Sequence, residues 1–243
     1  MTILNAAVAE QLIEFKKEAD AIIEKGIKKD EAIFQVIRKY IIDSKPIRFE
    51  GNNYSEEWKK EAKKRGLTNI TNVPEAYKSY FSDKSLKLFN SMNIFTTKEV
   101  EGRTEVKIET YTKRIQIESR VLGDIAINQI VPIAIKYQTT LMDNVQGLKE
   151  LFDKEEYNEL SKNRKELIKT VSNHISSIKA KTRDMTEARK KANKMDNELE
   201  KAFEYSQTVV PFLNDIRSHI DALEDIVDDV LWPLPKYREL LFV

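Results

Sequence analysis

The residue pattern predicts an all-α protein. Three long antiparallel helices, packed as a bundle, follow a smaller region of short helices with at most one short strand. Three observations carry the prediction. Glycine and proline number six each in 243 residues, against average usages of about 7% and 5%, and tight turns and left-handed backbone are their main uses. Apolar residues recur at three- and four-residue spacing through most of the chain, the period of a helix face. The longest such runs start at Thr96-Thr-Lys-Glu99 and Asp153-Lys-Glu-Glu156. In each, a capping side chain precedes a carboxylate by three residues, as at helix N-termini.

Helical spacing begins at once, through Ile3, Leu4, Val8, Leu12, Ile13 and Phe15, with no preceding loop. That reads as a piece of something larger. The first helix should cover 4–24 and end at Gly26; the second should cover 31–43 and stop before Pro46. The stretch 46–54 is the one strand-and-turn candidate, through Ile47 and Phe49. Ser55 should cap a short helix carrying Trp58, and Pro74 suits a first helical position. A further helix holds Leu86, Leu88, Phe89 and Met92. Residues 1–95 thus read as one region and 96–243 as another.

In the second region one stripe runs Val100, Ile108, Tyr111, Ile115, Leu122, Ile125, Ile133, Tyr137, Leu141, Leu148 and Phe152, with a kink expected at Pro132. Two interleaved seven-residue rows follow: Leu160, Leu167, His174, Lys181, Ala188, Met195, and Arg164, Val171, Ile178, Met185, Ala192, Leu199. Such rows form a bundle seam. Cations crowd 179–194, which suits a helix C-terminus and predicts a break near 193–197. A last helix runs through Val209, Leu213, Ile216, Ile220, Leu223 and Val227. Pro233 and Pro235 should leave the apolar tail extended.

Composition excludes several function classes. Forty-one basic and 40 acidic side chains leave no basic excess for nucleic acid or an anionic membrane. No cysteine occurs, so disulfides, thiolate zinc sites and cysteine nucleophiles are excluded. No apolar run approaches the roughly 20 residues of a membrane span, and a cytoplasmic protein is expected. Neither a Gly-rich phosphate loop nor an H-E-x-x-H pair is present. A compact chain of 28.3 kDa should expose roughly 11,000 Å².

His174, in a seam row, reads as a packed or hydrogen-bonded core residue. His219, four residues after Asp215, reads as one half of an ordinary intrahelical pair. The acidic run Asp221, Glu224, Asp225, Asp228, Asp229 opposes the helix dipole and calls for a cationic partner. The expectation is that Asp228 or Asp229 anchors the tail. Trp232, Lys236, Tyr237 and Arg238 complete the candidate tail-anchoring and interface set. The basic cluster at 179–194 lacks interleaved aromatics, so base stacking is not on offer.

Several stretches resemble type III glutamine synthetases. They are Ile47-Arg-Phe-Glu-Gly-Asn-Asn-Tyr-Ser-Glu-Glu-Trp58, Ala62-Lys-Lys-Arg-Gly-Leu67, Glu187-Ala-Arg-Lys-Lys-Ala-Asn193 and Asp215-Ile-Arg-Ser-His219. The most specific is Val227-Asp-Asp-Val-Leu-Trp-Pro-Leu-Pro-Lys-Tyr-Arg-Glu-Leu-Leu-Phe242. Asn5-Ala-Ala-Val-Ala9 is similar to the helix that follows the family's last active-site strand. The resemblance covers the C-terminal part of a much longer enzyme. It implies a parent that uses ATP and Mg²⁺ or Mn²⁺ to join ammonia to glutamate through a γ-glutamyl phosphate, in a double-ring dodecamer. The motifs that hold metal and nucleotide in the family are missing here, so no catalytic, cofactor-binding or metal residue is assigned. The implied partners are the rest of the synthetase chain and neighbouring subunits, and the implied role is structural. A free-standing helical scaffold or protein-interaction domain is the other reading.

Overall fold

A computed structural model describes residues 2–241, apart from the side chains of Tyr237 and Arg238. Every regular element among the described residues is helical. The chain divides into two compact units, 1–107 and 108–243, and the division falls inside one long helix.

In the first unit, α1 (Thr2–Ile23) ends at Gly26, whose φ of 88° is a left-handed turn that glycine adopts without a Cβ clash. Helix α2 (Lys29–Asp43) then packs on α1. Phe15 meets Tyr40 edge to face at 5.8 Å, and Lys39 pairs with Glu18 at 2.9 Å. The strand expected near Ile47 and Phe49 does not form. Residues Lys45–Ile47 make a single 3₁₀ turn. The Arg65 guanidinium accounts for this: it donates to the carbonyls of Pro46 (3.2 Å) and Arg48 (2.8 Å), the acceptors a neighbouring strand would need. Arg65 also binds Glu61 and lies over Trp58, whose other partner is the stacked ring of Phe49.

Ser55 caps α3 (Glu56–Lys64) through the Trp58 amide. Asn72 caps α4 (Val73–Lys78), with Pro74 in its first turn. Ser82 caps α5 (Asp83–Ser91). A small core of Ala6, Phe89 and Val100 joins α1, α5 and the start of α6 (Thr97–Ile125). The box at 96–99 is reciprocal: Thr96 Oγ1 accepts from the Glu99 amide, and the Glu99 carboxylate accepts from the Thr96 amide.

The second unit holds the rest of α6, then α7 (Val131–Leu151), α8 (Lys154–Ala192), α9 (Glu198–Glu204) and α10 (Val210–Glu224). Helix α6 runs into α7 through one wide π-turn at Ala126–Ile130, so that 97–151 is continuous helix. Helices α9 and α10 join the same way through Tyr205–Val209. Each π-turn stands just before a proline, Pro132 or Pro211. A proline ring would strike the carbonyl four residues back in a regular helix. The wider turn relieves this, and the Val131 and Val210 amides reach five residues back to Ala126 and Tyr205. Two-residue and five-residue breaks, at 152–153 and 193–197, return the chain on itself. The three long helical runs are antiparallel, with α8 packed on both α7 and α10.

The seam of α8 differs from the expected rows in one respect. Val171, Ile178, Met185 and Ala192 are buried as one row. Its companion is Ser161, Ile175 and Thr182, one residue later than the row written through His174 and Lys181. The Thr182 row faces α6, where a Cβ on Gly123 would lie 3.3 Å from Thr182 Cγ2. His174 and Lys181 instead flank the core beside α10. Burial in α6 also includes hydroxyls outside the apolar stripe: Thr104, Thr112 and Ser119, each bonded to a carbonyl of its own helix.

Candidate functional site

In the first unit, the apolar stripe of α1 runs Leu4, Val8, Leu12, Phe15, Ala19, Ile22. Spacings of four, four, three, four and three keep it on one face. Its second half lies at the α2 contact, where Phe15 meets Tyr40 and Ala19 is buried. Its first half continues uncovered: Leu4 is 68% exposed, Val8 52% and Leu12 62%. Helix α2 is apolar on two sides. Ala32, Val36 and Tyr40 form the inner side; Phe34, Ile37 and Ile41 form the outer, with Phe34 60% exposed. Each such side chain would contribute about 1.5–3 kcal/mol if buried. Soluble surfaces seldom carry such patches unless something covers them.

A cavity of about 600 Å³ in the same unit is lined by Tyr80, Phe89, Phe95, Arg103 and Lys107, among others. Arg103 sits 4.6 Å over the Phe95 ring and Lys107 4.7 Å over that of Tyr80. These cation–π contacts hold both positive side chains against aromatic walls.

In the second unit, the tail folds back onto the bundle. The Asp228 carbonyl accepts from the amides of Leu231 and Trp232, and its carboxylate accepts from the Val230 amide. This turn drives Trp232 into the core beside Val227. Lys236 then donates to Asp229 and, at 2.8 Å, to the Glu224 carbonyl at the end of α10. An ammonium there meets both the negative dipole end and an orphan carbonyl. The tail is therefore not extended: a turn occupies 228–232 and one helical turn, α11 (Tyr237–Leu240), follows Pro235. The side chains of Tyr237 and Arg238 lie outside the described residues.

Asp215 does not pair with His219. It takes Lys181 of α8 at 2.6 Å, while His219 meets His174. Sequence spacing missed one junction altogether. The Asn193 amide oxygen, just past α8, accepts from Gln116 and from the Tyr205 hydroxyl, each at 2.8 Å. Tyr205 is fully buried, and burial, partly offset by Gln116, pushes its phenol above the ordinary value. The two asparagines bounding 193–197 were the available signal.

Chemically, these arrangements hold and cover. Among the described residues no three His, Asp or Glu side chains converge as metal ligands, and no helix is long and apolar enough to cross a membrane. The comparisons with known proteins agree on a family. Residues 32–149 match the glutamine synthetase C-terminal domain. That match takes in just under half of the chain. It is 56% identical over 242 residues to a glutamine synthetase of Bacteroides fragilis (strain YCH46), covering all of this chain and 33% of that protein. A type-3 glutamine synthetase of Dictyostelium discoideum is 30% identical over 241 residues, 99% of this chain and 33% of its own length. A Butyrivibrio fibrisolvens glutamine synthetase is 27% identical over 246 residues, 99% of this chain and 35% of its own. The chain thus spans about a third of the synthetases it matches, and the open faces of α1 and α2 belong to that third.

Proposed function

We propose that this chain is the C-terminal region of a type III glutamine synthetase, and that its own task is structural. The parent reaction is ATP-dependent ligation of ammonia to glutamate. The chain's part is to pack against the catalytic region and to supply contacts between subunits of a dodecamer. The observation that carries this is the α1 stripe, which is covered along its second half and open along its first. A stripe of that regularity is a packing surface. About two thirds of the relatives' length lies outside this chain, which is ample material to cover it.

ATP and Mg²⁺ or Mn²⁺ are the cofactors of the parent. Bound together they would neutralise phosphate charge as the γ-glutamyl phosphate forms. The carboxylate and histidine set that such a metal requires is not assembled by the described residues. No step of the reaction is therefore assigned to these side chains.

The test uses the full-length parent. Val8→Asp with Leu12→Asp should break its assembly into smaller species by size-exclusion chromatography with light scattering, and activity should fall with it. A γ-glutamyl transfer assay on the 243-residue chain should show no turnover. A double variant that assembles and turns over like the wild type would overturn the packing role; turnover by the chain alone would overturn the statement that it is structural.

A further inference from the structure

His174 and His219 are the only histidines of the sequence, and the fold brings them together from α8 and α10. Their Nδ1 atoms lie 3.0 Å apart, with ring planes at 66°. That is hydrogen-bond length, and it admits one proton between the two nitrogens. One ring donates and the other accepts. The charged groups facing the pair are Lys181 on α8 and Asp215 on α10. Asp215 stands one turn before His219 and would be its natural counter-charge, but Lys181 holds it. Helix α7, also packed on α8, presents a neutral group: the Gln138 amide, which donates to Ser172 Oγ and the Ile168 carbonyl. Burial first, then His174 and Lys181, hold His219 below the ordinary imidazole value, with Asp215 opposing.

We propose that this pair is an acid-sensitive latch between α8 and α10, in which His174 donates its Nδ1–H to a His219 that stays neutral. If His219 accepts at Nδ1, its own proton is on Nε2, so a proton added to His219 must sit on Nδ1. Two N–H groups then face each other at hydrogen-bond distance and neither can accept, so the contact opens. Lys181 sets the threshold by occupying Asp215 and adding its own charge nearby. The linkage has a definite sign. His219 is depressed in the folded chain, so below about pH 6.5 the unfolded chain binds a proton that the folded chain refuses. The contribution of the latch to stability is complete above that pH and is lost as the pH falls below it.

The test is an NMR titration of the imidazole resonances in the 243-residue chain, with His174→Gln and His219→Gln assigning each by elimination. His219 should titrate below the ordinary value, and its midpoint should rise in His174→Gln. The melting temperature should drop further between pH 7.5 and 5.5 in the wild type than in His219→Gln. Should His174→Gln fail to fold, Lys181→Met reads the same quantity, since freeing Asp215 raises the His219 midpoint. A wild-type His219 titrating at or above the ordinary value, or unmoved by these substitutions, overturns the latch.

Discussion

Trp232 shows how much one side chain of the tail contributes. Its ring is packed with Val227 and the bundle core, and Lys236 lies 5.9 Å over it. Removing an indole from such a site costs about 3–5 kcal/mol, because the lost transfer energy is compounded by the cavity left behind. Trp232→Ala should therefore lower unfolding free energy by about that amount in urea titrations. Ser161 gives the opposite case. It is fully buried and, among the described residues, its hydroxyl has no hydrogen-bond partner. Ser161→Ala removes an uncompensated polar group, and the same titrations should show a gain of about 1 kcal/mol. Neither residue was distinguishable by type alone: the sequence marked Trp232 through its proline-rich setting, whereas nothing marked Ser161. The Lys181–Asp215 bond was equally hidden, because spacing along α10 favoured His219 as the partner of Asp215.

Among the elements, caps were legible, but of the two expected α8 rows only the one through Val171 and Ile178 was. Thr96, Asp153 and Ser55 stand where capping chemistry put them, since a cap depends on a few neighbouring residues, and the break at 193–197 falls where crowded cations marked a helix C-terminus. Asn197 accepts from the amides of Leu199 and Glu200 at 3.0 Å, and Asn197→Ala should cost about 1 kcal/mol by chemical denaturation. The α8 seam is a different kind of problem. A helix packed on two partners buries a wide arc, and periodicity alone does not say which of two adjacent rows lies at its centre. The wide turns before Pro132 and Pro211 belong to this scale as well. Pro132 announced a disturbance and Pro211 was passed over, and in both the form keeps Ala126, Ile130, Tyr205 and Val209 in the core.

For the whole molecule, accessible surface is the informative quantity. It is 17315 Å², against roughly 11,000 Å² for one compact chain of this mass and roughly 13,500 Å² for two separate compact units of these sizes. Part of the excess is the apolar surface of α1 and α2. The isolated chain should accordingly bind an apolar fluorescent dye and scatter light increasingly with concentration. Leu12→Lys combined with Phe34→Lys should reduce both signals without altering far-UV circular dichroism. Equal dye binding by this variant would place the sticky surface elsewhere.

By itself the sequence determined the helical class, the capped starts, the main break in the bundle and the likeness to glutamine synthetases. These rest on local chemistry and on residue order, which the chain carries wherever it folds. Tertiary structure alone decided that Arg65 would consume the carbonyls of a would-be strand, that Lys236 would close the end of α10, and that two histidines 45 residues apart would meet at hydrogen-bond distance. Each of these depends on groups distant in sequence being held within about 3 Å, a distance that only packing sets.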